Sequence, residues 1–296
     1  MEILFLGTSS MVPTKERNHS GILISYKNEN ILIDCGEGVQ RQMKTAGAKL
    51  TKITKILVSH WHGDHVLGIP GLLQSMSASG HRGRLQIYGP AGTKKFMKKM
   101  FGVFVFDNKM NIEVIDVKGG NFFENDEFKL SARLLRHNIP TLGYSLEEKP
   151  RRKINLAYTK RVGIPKGPLL GKLQKGQSII WKNKQINADD ATRPVKGKKI
   201  TIIIDTLPCK NADILAKNSD LLVCEATYGS DLEAKSRKHM HMTAAQAAKL
   251  AKKANAGKLV LTHFSARYND TKGLEKDAME HFKDVVCAKD FMKISL

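Results

Sequence analysis

Ser59-His60-Trp61-His62-Gly63-Asp64-His65-Val66-Leu67-Gly68 places three imidazoles and a carboxylate within six residues. The stretch follows the apolar run Ile56-Leu57-Val58, so its pattern predicts a strand that delivers a polar cluster onto a tight loop. Imidazole nitrogen and carboxylate oxygen suit a borderline cation such as zinc, and no cysteine lies near enough in sequence to compete for it. His60 and His62 are two apart and point the same way where strand geometry persists, whereas Asp64 and His65 are adjacent and diverge. One ion would use such a set poorly; two would use it well. The plain alternative is a polar loop with incidental histidines, but ten histidines in 296 residues seldom put three beside an aspartate at a strand exit.

The pattern HxHxDH resembles the signature of the metallo-β-lactamase superfamily. That resemblance implies a fold and a metal and leaves the substrate open. At 296 residues the chain can bury a sizeable core, and 41% hydrophobic with 26% charged residues reads as soluble and globular. The apolar segment Ile3–Leu6 is too short for a signal-peptide core and no run approaches a membrane span, so the default expectation is a cytoplasmic protein without a membrane partner. Cys35, Cys209, Cys224 and Cys287 are scattered and form no CxxC, which indicates neither a disulfide framework nor a cysteine-zinc site.

Charge is the second informative quantity. Lys and Arg number 49 against 28 Asp and Glu, a net +21, which attracts polyanions and makes nucleic acid the leading partner. A lysine-rich proteome would spread such charge evenly. Here the window from 150 to 199 holds 14 Lys and Arg with only Asp189 and Asp190 as acids, so it carries +12 of the total. Within it, Gly163 to Gly176 is dense in Gly and Pro with no clear period and predicts a protruding, flexible arm, assigned to 150–185. Its lysines and arginines would pair with phosphates, while glycine lets the backbone come close to the sugar-phosphate chain. A solvated loop without a task is the alternative.

The remaining chain alternates short apolar runs with helical spacing. Ile3 to Gly7 reads as a strand, and Gly21–Tyr26 with Ile31–Cys35 as a hairpin turning at Asn28 to Asn30. The intervening Pro13-Thr14-Lys15-Glu16-Arg17-Asn18 is by composition an ordinary charged turn. Further runs end at Arg136-His137-Asn138, at Asp205, at Glu225 and at His263. Asp205 could simply cap the helix that follows it; a carboxylate can also bridge two cations. His241 precedes Thr243, a good N-cap for the alanine-rich helix beginning at Ala244. Four strand ends thus present His60, His62, Asp64 and His65; His137; Asp205; and His263.

With these in place the chain resembles the ribonuclease Z family of tRNA 3′-processing endonucleases over its whole length from Ile3. The Pro13 to Asn18 loop is similar to that family's PxKxRN-type loop, Gly163 to Gly176 to its substrate-clamping arm, and His241-Met242-Thr243 stands where His-Ser-Thr is usual. Leu261-Thr262-His263-Phe264-Ser265-Ala266-Arg267-Tyr268 matches especially closely. Two positions depart: Ile204 replaces a usual glycine and Leu207 a frequent arginine, which bears on substrate contact and not on the metal site.

The resemblance implies an α/β fold, a four-layer αββα sandwich forming one domain over 1–296 with the arm inserted. It implies a homodimer, precursor tRNA as partner, and two zinc ions per subunit, with manganese as an alternative. His60, His62 and His137 would hold one ion, Asp64, His65 and His263 the other, and Asp205 would join them. The two ions would depress the pKa of a bridging water, giving hydroxide near neutral pH, and Asp64 would orient that water or take its proton. His241, oriented by Glu225, would protonate the departing 3′-oxygen, leaving a 3′-hydroxyl on the tRNA and a 5′-phosphate on the trailer. Lys15, Arg17, Arg151, Arg152, Lys153, Lys166, Lys172 and Lys175 would contact phosphates, so that RNA shape governs recognition. A hydrolase of small substrates would use the same ligands but gain little from the arm, and a non-catalytic RNA-binding module would have no use for His241.

Overall fold

The computed structural model describes residues 1–105 and 109–296. Two seven-stranded sheets organise most of them. In the first, the strand order is Lys293–Ser295, Glu2–Gly7, Gly21–Tyr26, Glu29–Ile33, Lys55–Leu57, Arg84–Gly89 and Asn111–Asp116. In the second it is Val285–Cys287, Lys258–Thr262, Leu221–Glu225, Lys199–Ile203, Leu142–Glu148, Phe128–Leu134 and Gly120–Glu124. Four consecutive strands of the first sheet, from Glu29–Ile33 to Asn111–Asp116, pair in parallel. So do four of the second, from Lys199–Ile203 to Val285–Cys287. Parallel pairing brings the carboxyl ends of neighbouring strands to one edge of each sheet, which is where such sheets place their functional loops.

The layering follows from period-two alternation along the strands. Leu4, Leu6, Leu23, Leu32, Ile56, Leu85 and Ile87 pack with the apolar faces of the helices Val39–Thr45, Ile69–Ala78 and Thr93–Val103. Their neighbours Ile3, Phe5, Ile22, Ile24, Ile31, Ile33 and Leu57 are equally buried but face the other way. In the second sheet Ile203, Leu222, Cys224, Leu259 and Leu261 meet the helices Lys210–Ala216, Ala244–Lys253 and Lys272–Met279, while Ile202, Val223 and Val260 are buried on the opposite face. Each sheet therefore covers the other's inner face. Tyr144 donates its hydroxyl across to the Val58 carbonyl at 2.6 Å, and the rings of Tyr88 and Phe122 lie 5.0 Å apart. The result is the expected αββα sandwich.

Local differences have local causes. The first hairpin turns on Lys27-Asn28, because Tyr26 pairs directly with Glu29 and leaves a two-residue loop with Lys27 at φ 53°. The strand Leu142–Glu148 is not evident from alternation, since Gly143 and Ser145 are buried along with Leu142, Tyr144 and Leu146. All four cysteines are free thiols.

Two compact units partition the chain: residues 1–123, 130–146 and 199–296 form one, and residues 124–129 and 147–198 the other. The smaller unit is more ordered than its composition suggests. Arg151–Ile154 pairs antiparallel with Thr192–Val195, and Ile179–Trp181 with Lys184–Ile186. The Gly/Pro-rich stretch contains the helix Pro168–Gln174, preceded by Leu156–Val162, which is capped by the Asn155 side chain and ends at Gly163 with φ 76°. Ile164, Leu173, Ile179, Ile186, Ala188 and Ala191 form its own small core. The helix was masked in sequence because Leu169, Leu170 and Leu173 complete only one turn of apolar period before Gly176 ends it.

Leu173 is fully buried in that core. Replacing it with alanine should cost about 2–5 kcal/mol within the small unit. Hydrogen exchange over residues 156–186 should accelerate, with the amides of Glu2–Gly7 and Lys258–Thr262 unaffected.

Candidate metal centre

The opening stretch leaves its strand at Leu57 and folds into a single helical turn, Gly63–Val66. That turn is locked against the loop after the hairpin. Cys35 N–H donates to the His65 carbonyl at 2.8 Å and Gly68 N–H to the Cys35 carbonyl at 2.9 Å. A Cβ at Gly68 would sit 2.1 Å from the Gly36 carbonyl oxygen, so only glycine permits this approach. The helical turn also revises the expected divergence of Asp64 and His65. Asp64 Oδ2 lies 3.2 Å from His65 Nε2, because the long imidazole reaches back across the turn.

The other ligand candidates arrive from the exits of the second sheet. Asp205 and His263 follow their strands with φ of 53° and 60°, left-handed conformations that turn each side chain inward over the sheet edge. Non-glycine residues adopt this region at a cost of about 1–2 kcal/mol, and asparagine, aspartate and histidine most readily. His137 follows the strand Phe128–Leu134.

Seven side chains converge. His60 Nε2 lies 2.9 Å from His62 Nδ1, which lies 3.4 Å from His137 Nε2. Asp205 Oδ2 is 3.5 Å from His60 Nε2, 3.6 Å from His65 Nε2 and 4.0 Å from His137 Nε2, while its Oδ1 is 3.1 Å from His263 Nε2. His263 Nε2 is 3.6 Å from Asp64 Oδ2. His60, His62, His137 and Asp205 form one group whose ligand atoms lie within 4.8 Å of one another, and Asp64, His65 and His263 a second.

Hydrogen bonds behind the rings fix which nitrogen faces inward. His65 Nδ1 bonds Asp34 Oδ2 at 2.7 Å, and Ser59 Oγ, 3.0 Å from His60 Nδ1, donates to the same carboxylate. His137 Nδ1 donates to the Met240 carbonyl at 3.1 Å, and His263 Nδ1 meets Thr227 Oγ1 at 3.1 Å. The outward nitrogens of His60, His65, His137 and His263 are therefore engaged. Within the cluster the buried atoms His65 Nε2, His263 Nε2, Asp64 Oδ1 and Asp205 Oδ1 have no hydrogen-bond partner. A buried polar atom left so costs about 1–3 kcal/mol, and four of them on clustered imidazoles and carboxylates fit a cation-binding set.

The electrostatics agree. Burial pushes His60, His62 and His137 below their ordinary value, toward the neutral form a metal needs. Burial also opposes charge on His65, but Asp205, Asp34 and Asp64 outweigh it and raise that imidazole well above its usual range. The pocket thus carries a surplus of carboxylate that calls for positive charge. Asp64 and Asp205 are held well below the usual carboxylate range despite burial: His65 and His263 act on Asp64, and the same two with His241 and His60 on Asp205.

His241 stands beside this set without joining the first two groups. It precedes the helix Ala244–Lys253, whose start is fixed by a reciprocal cap between Thr243 and Gln246. Glu225, fully buried at the end of Leu221–Glu225, approaches His241 Nδ1 with Oε2 at 3.1 Å and Oε1 at 3.2 Å. Thr206 N–H and Thr227 Oγ1 also donate to that carboxylate. Burial resists protonation of His241, yet Glu225, with Asp205 behind it, carries it up to about 9.

The candidate RNA contacts are less uniform. Lys15 is exposed in the larger unit; Arg151, Lys153, Lys166, Lys172 and Lys175 are exposed in the smaller. Arg152 instead pairs with Asp189 at 2.6 Å and Thr192 at 3.1 Å. Arg17 is only 8% exposed, and its Nη2 donates to the Tyr268 and Ser265 carbonyls at 2.7 and 3.4 Å, so the structure does not present it to a ligand. Sequence reading missed Asp34, Ser59 and Thr227, which orient the rings. Asp34 was findable: it follows a strand just as Asp205 does, with φ 58°.

Comparison with known proteins adds the lineage. The family model described as Anti-Pycsar protein Apyc1 matches residues 1–101, a third of the chain that includes only the HxHxDH ligands. Ribonuclease Z of Methanosarcina acetivorans is 38% identical over 299 residues, spanning 100% of this chain and 98% of that protein. Ribonuclease Z of Streptococcus uberis is 38% identical over 309 residues, spanning 100% of both. The crystal structure of human tRNase Z, short form, superposes with a TM-score of 0.75 at 28% identity, covering 100% of this chain and 99% of that one. With ligand candidates from both halves converging and full-length identity of this order, the chain belongs to the ribonuclease Z family of endoribonucleases.

Proposed function

We propose that this endoribonuclease removes the 3′ trailer of tRNA precursors by hydrolysis just after the discriminator nucleotide. The observation that carries the reading is the convergence of seven His and Asp side chains beside a Glu225-held His241. The full-length similarity to ribonuclease Z and tRNase Z supports the substrate.

In this reading His60, His62 and His137 would hold one zinc ion and Asp64, His65 and His263 a second. Asp205, with an oxygen near each group, would serve both; manganese would satisfy the same donors. Two divalent ions there would acidify a shared water and offset the charge that develops on the scissile phosphate. The protein's own groups do the rest. Asp64 stays ionised, so it orients the attacking water by accepting a hydrogen bond. His241 stays protonated at neutral pH and gives its proton to the departing 3′-oxygen, while Glu225 holds the ring and stabilises its charge. Water as nucleophile leaves the RNA 2′-hydroxyl unused.

Lys15 and the exposed cations Arg151, Lys153, Lys166, Lys172 and Lys175 would grip phosphates of the tRNA body, with Arg152 and Arg17 shaping the surfaces that carry them. The working form is a homodimer in which the basic unit of one subunit serves RNA bound at the other. Among the described residues no helix is long and apolar enough to cross a membrane; a cytoplasmic location is inferred from the precursor tRNA substrate alone.

Incubation with a 3′-extended tRNA precursor should yield a 3′-hydroxyl on the tRNA body and a 5′-phosphate on the trailer; a 2′,3′-cyclic phosphate would contradict hydrolysis by water. Deleting 163–176 should raise KM for the precursor at least tenfold while sparing hydrolysis of a small phosphodiester such as bis(p-nitrophenyl) phosphate. For His241 the sign is fixed by its role: the protonated form is the donor, so kcat falls as pH rises through its pKa. Glu225→Gln removes the charge that raises that pKa, so the alkaline limb of the kcat profile should move to lower pH; an unmoved limb would remove His241 as the acid.

A further inference from the structure

The segment from Thr8 to His19 has a task that its composition hides. It closes on itself through Ser9 N–H to the Asn18 carbonyl at 2.9 Å and Ser9 Oγ to the Val12 carbonyl at 2.7 Å. At its tip Met11 N–H donates to Asp64 Oδ2 at 2.8 Å, and the Met11 carbonyl accepts from His19 Nε2 at 3.0 Å. Met11 holds φ 47°, a conformation that a long side chain keeps only when its surroundings impose it. Those surroundings come from the far end of the chain. Asp290 Oδ1 accepts from Thr8 Oγ1 at 2.8 Å, and Oδ2 accepts from Asn18 N–H at 2.8 Å and Gln42 Nε2 at 2.9 Å. Arg17 ties the same segment to the carbonyls of Ser265 and Tyr268, just after His263.

We propose that Asp290 and Arg17 are positioning residues for Asp64: they set the strap of residues 8–19 so that the Met11 N–H holds Oδ2, the oxygen 3.2 Å from His65 Nε2 and 3.6 Å from His263 Nε2, and fixes how the carboxylate faces that ligand group. The inference rests on Asp64 being a metal ligand, as proposed above. It needs no charge on Asp290 itself, only its acceptor atoms. A loose strap frees the Asp64 carboxylate to rotate, which weakens the ion held by Asp64, His65 and His263 and leaves the other ion's imidazoles untouched. Hydrogen bonds behind a ligand are typically worth about 10–100-fold in metal affinity.

The test is a zinc titration against a competing chelator on the full chain, with steady-state kinetics on a tRNA precursor. Asp290→Ala should weaken one of two sites at least tenfold, leave the other unchanged, and lower kcat at least tenfold with KM within twofold. Asp290→Asn should restore all of these to within threefold of the wild type, because its amide oxygen can accept from Asn18 and Gln42 while its amide hydrogens meet the Thr8 hydroxyl. Arg17→Lys keeps the charge but cannot reach both carbonyls, so it should weaken the same site by a smaller factor, even if D290A does not fold. Two unaltered sites in folded D290A or R17K, or equal loss at both sites, would overturn the strap. A wild-type protein that takes up no ion pair would instead overturn the reading of Asp64 as a ligand, and the strap with it.

Discussion

Bare imidazole nitrogens and carboxylate oxygens gain nothing from meeting in a dry pocket unless something positive joins them, and this protein is built to make them meet. His65 Nε2, His263 Nε2, Asp64 Oδ1 and Asp205 Oδ1 are buried without partners, while the opposite nitrogens of the rings are tied to Asp34, Thr227 and the Met240 carbonyl. Left-handed turns at Asp34, Asp205 and His263 pay the backbone cost of that convergence. The sandwich supplies what makes it possible, two parallel runs of strands whose exits share an edge and whose inner faces seal the floor.

The metal-ligand candidates and the densest positive charge fall in different units. The larger contains every metal-ligand candidate together with His241 and Glu225; the smaller contains the densest positive charge and a core of its own. A folded platform holds its cations at lower entropic cost than a free loop would, because the backbone between Arg151 and Lys175 is already ordered. Phosphate contacts made from such a platform read shape, not sequence.

The candidate ligand set was legible in the sequence because its seven members follow four strand exits and four of them share one decapeptide. His137, Asp205 and His263 carry no local signal strong enough to stand alone; their place at strand exits beside HxHxDH joins them to the first four, and the family resemblance divides the seven between two ions. What escaped was of two kinds. Asp34, Ser59, Thr227 and Asp290 act through hydrogen bonds between residues up to 282 positions apart, for which a linear pattern has no period. Arg17 lay in a charged turn and was read as a phosphate contact, yet it folds inward onto two carbonyls. In the smaller unit, glycine and proline hid a one-turn apolar repeat that packing completes.

The central claim is that two cations sit in this pocket, one in each ligand group. Anomalous scattering recorded on either side of the zinc edge, from crystals of protein purified without added metal or chelator, tests it directly. The account predicts two peaks, one among His60, His62 and His137 and one among Asp64, His65 and His263, with Asp205 between them. A single peak, or none, would contradict it.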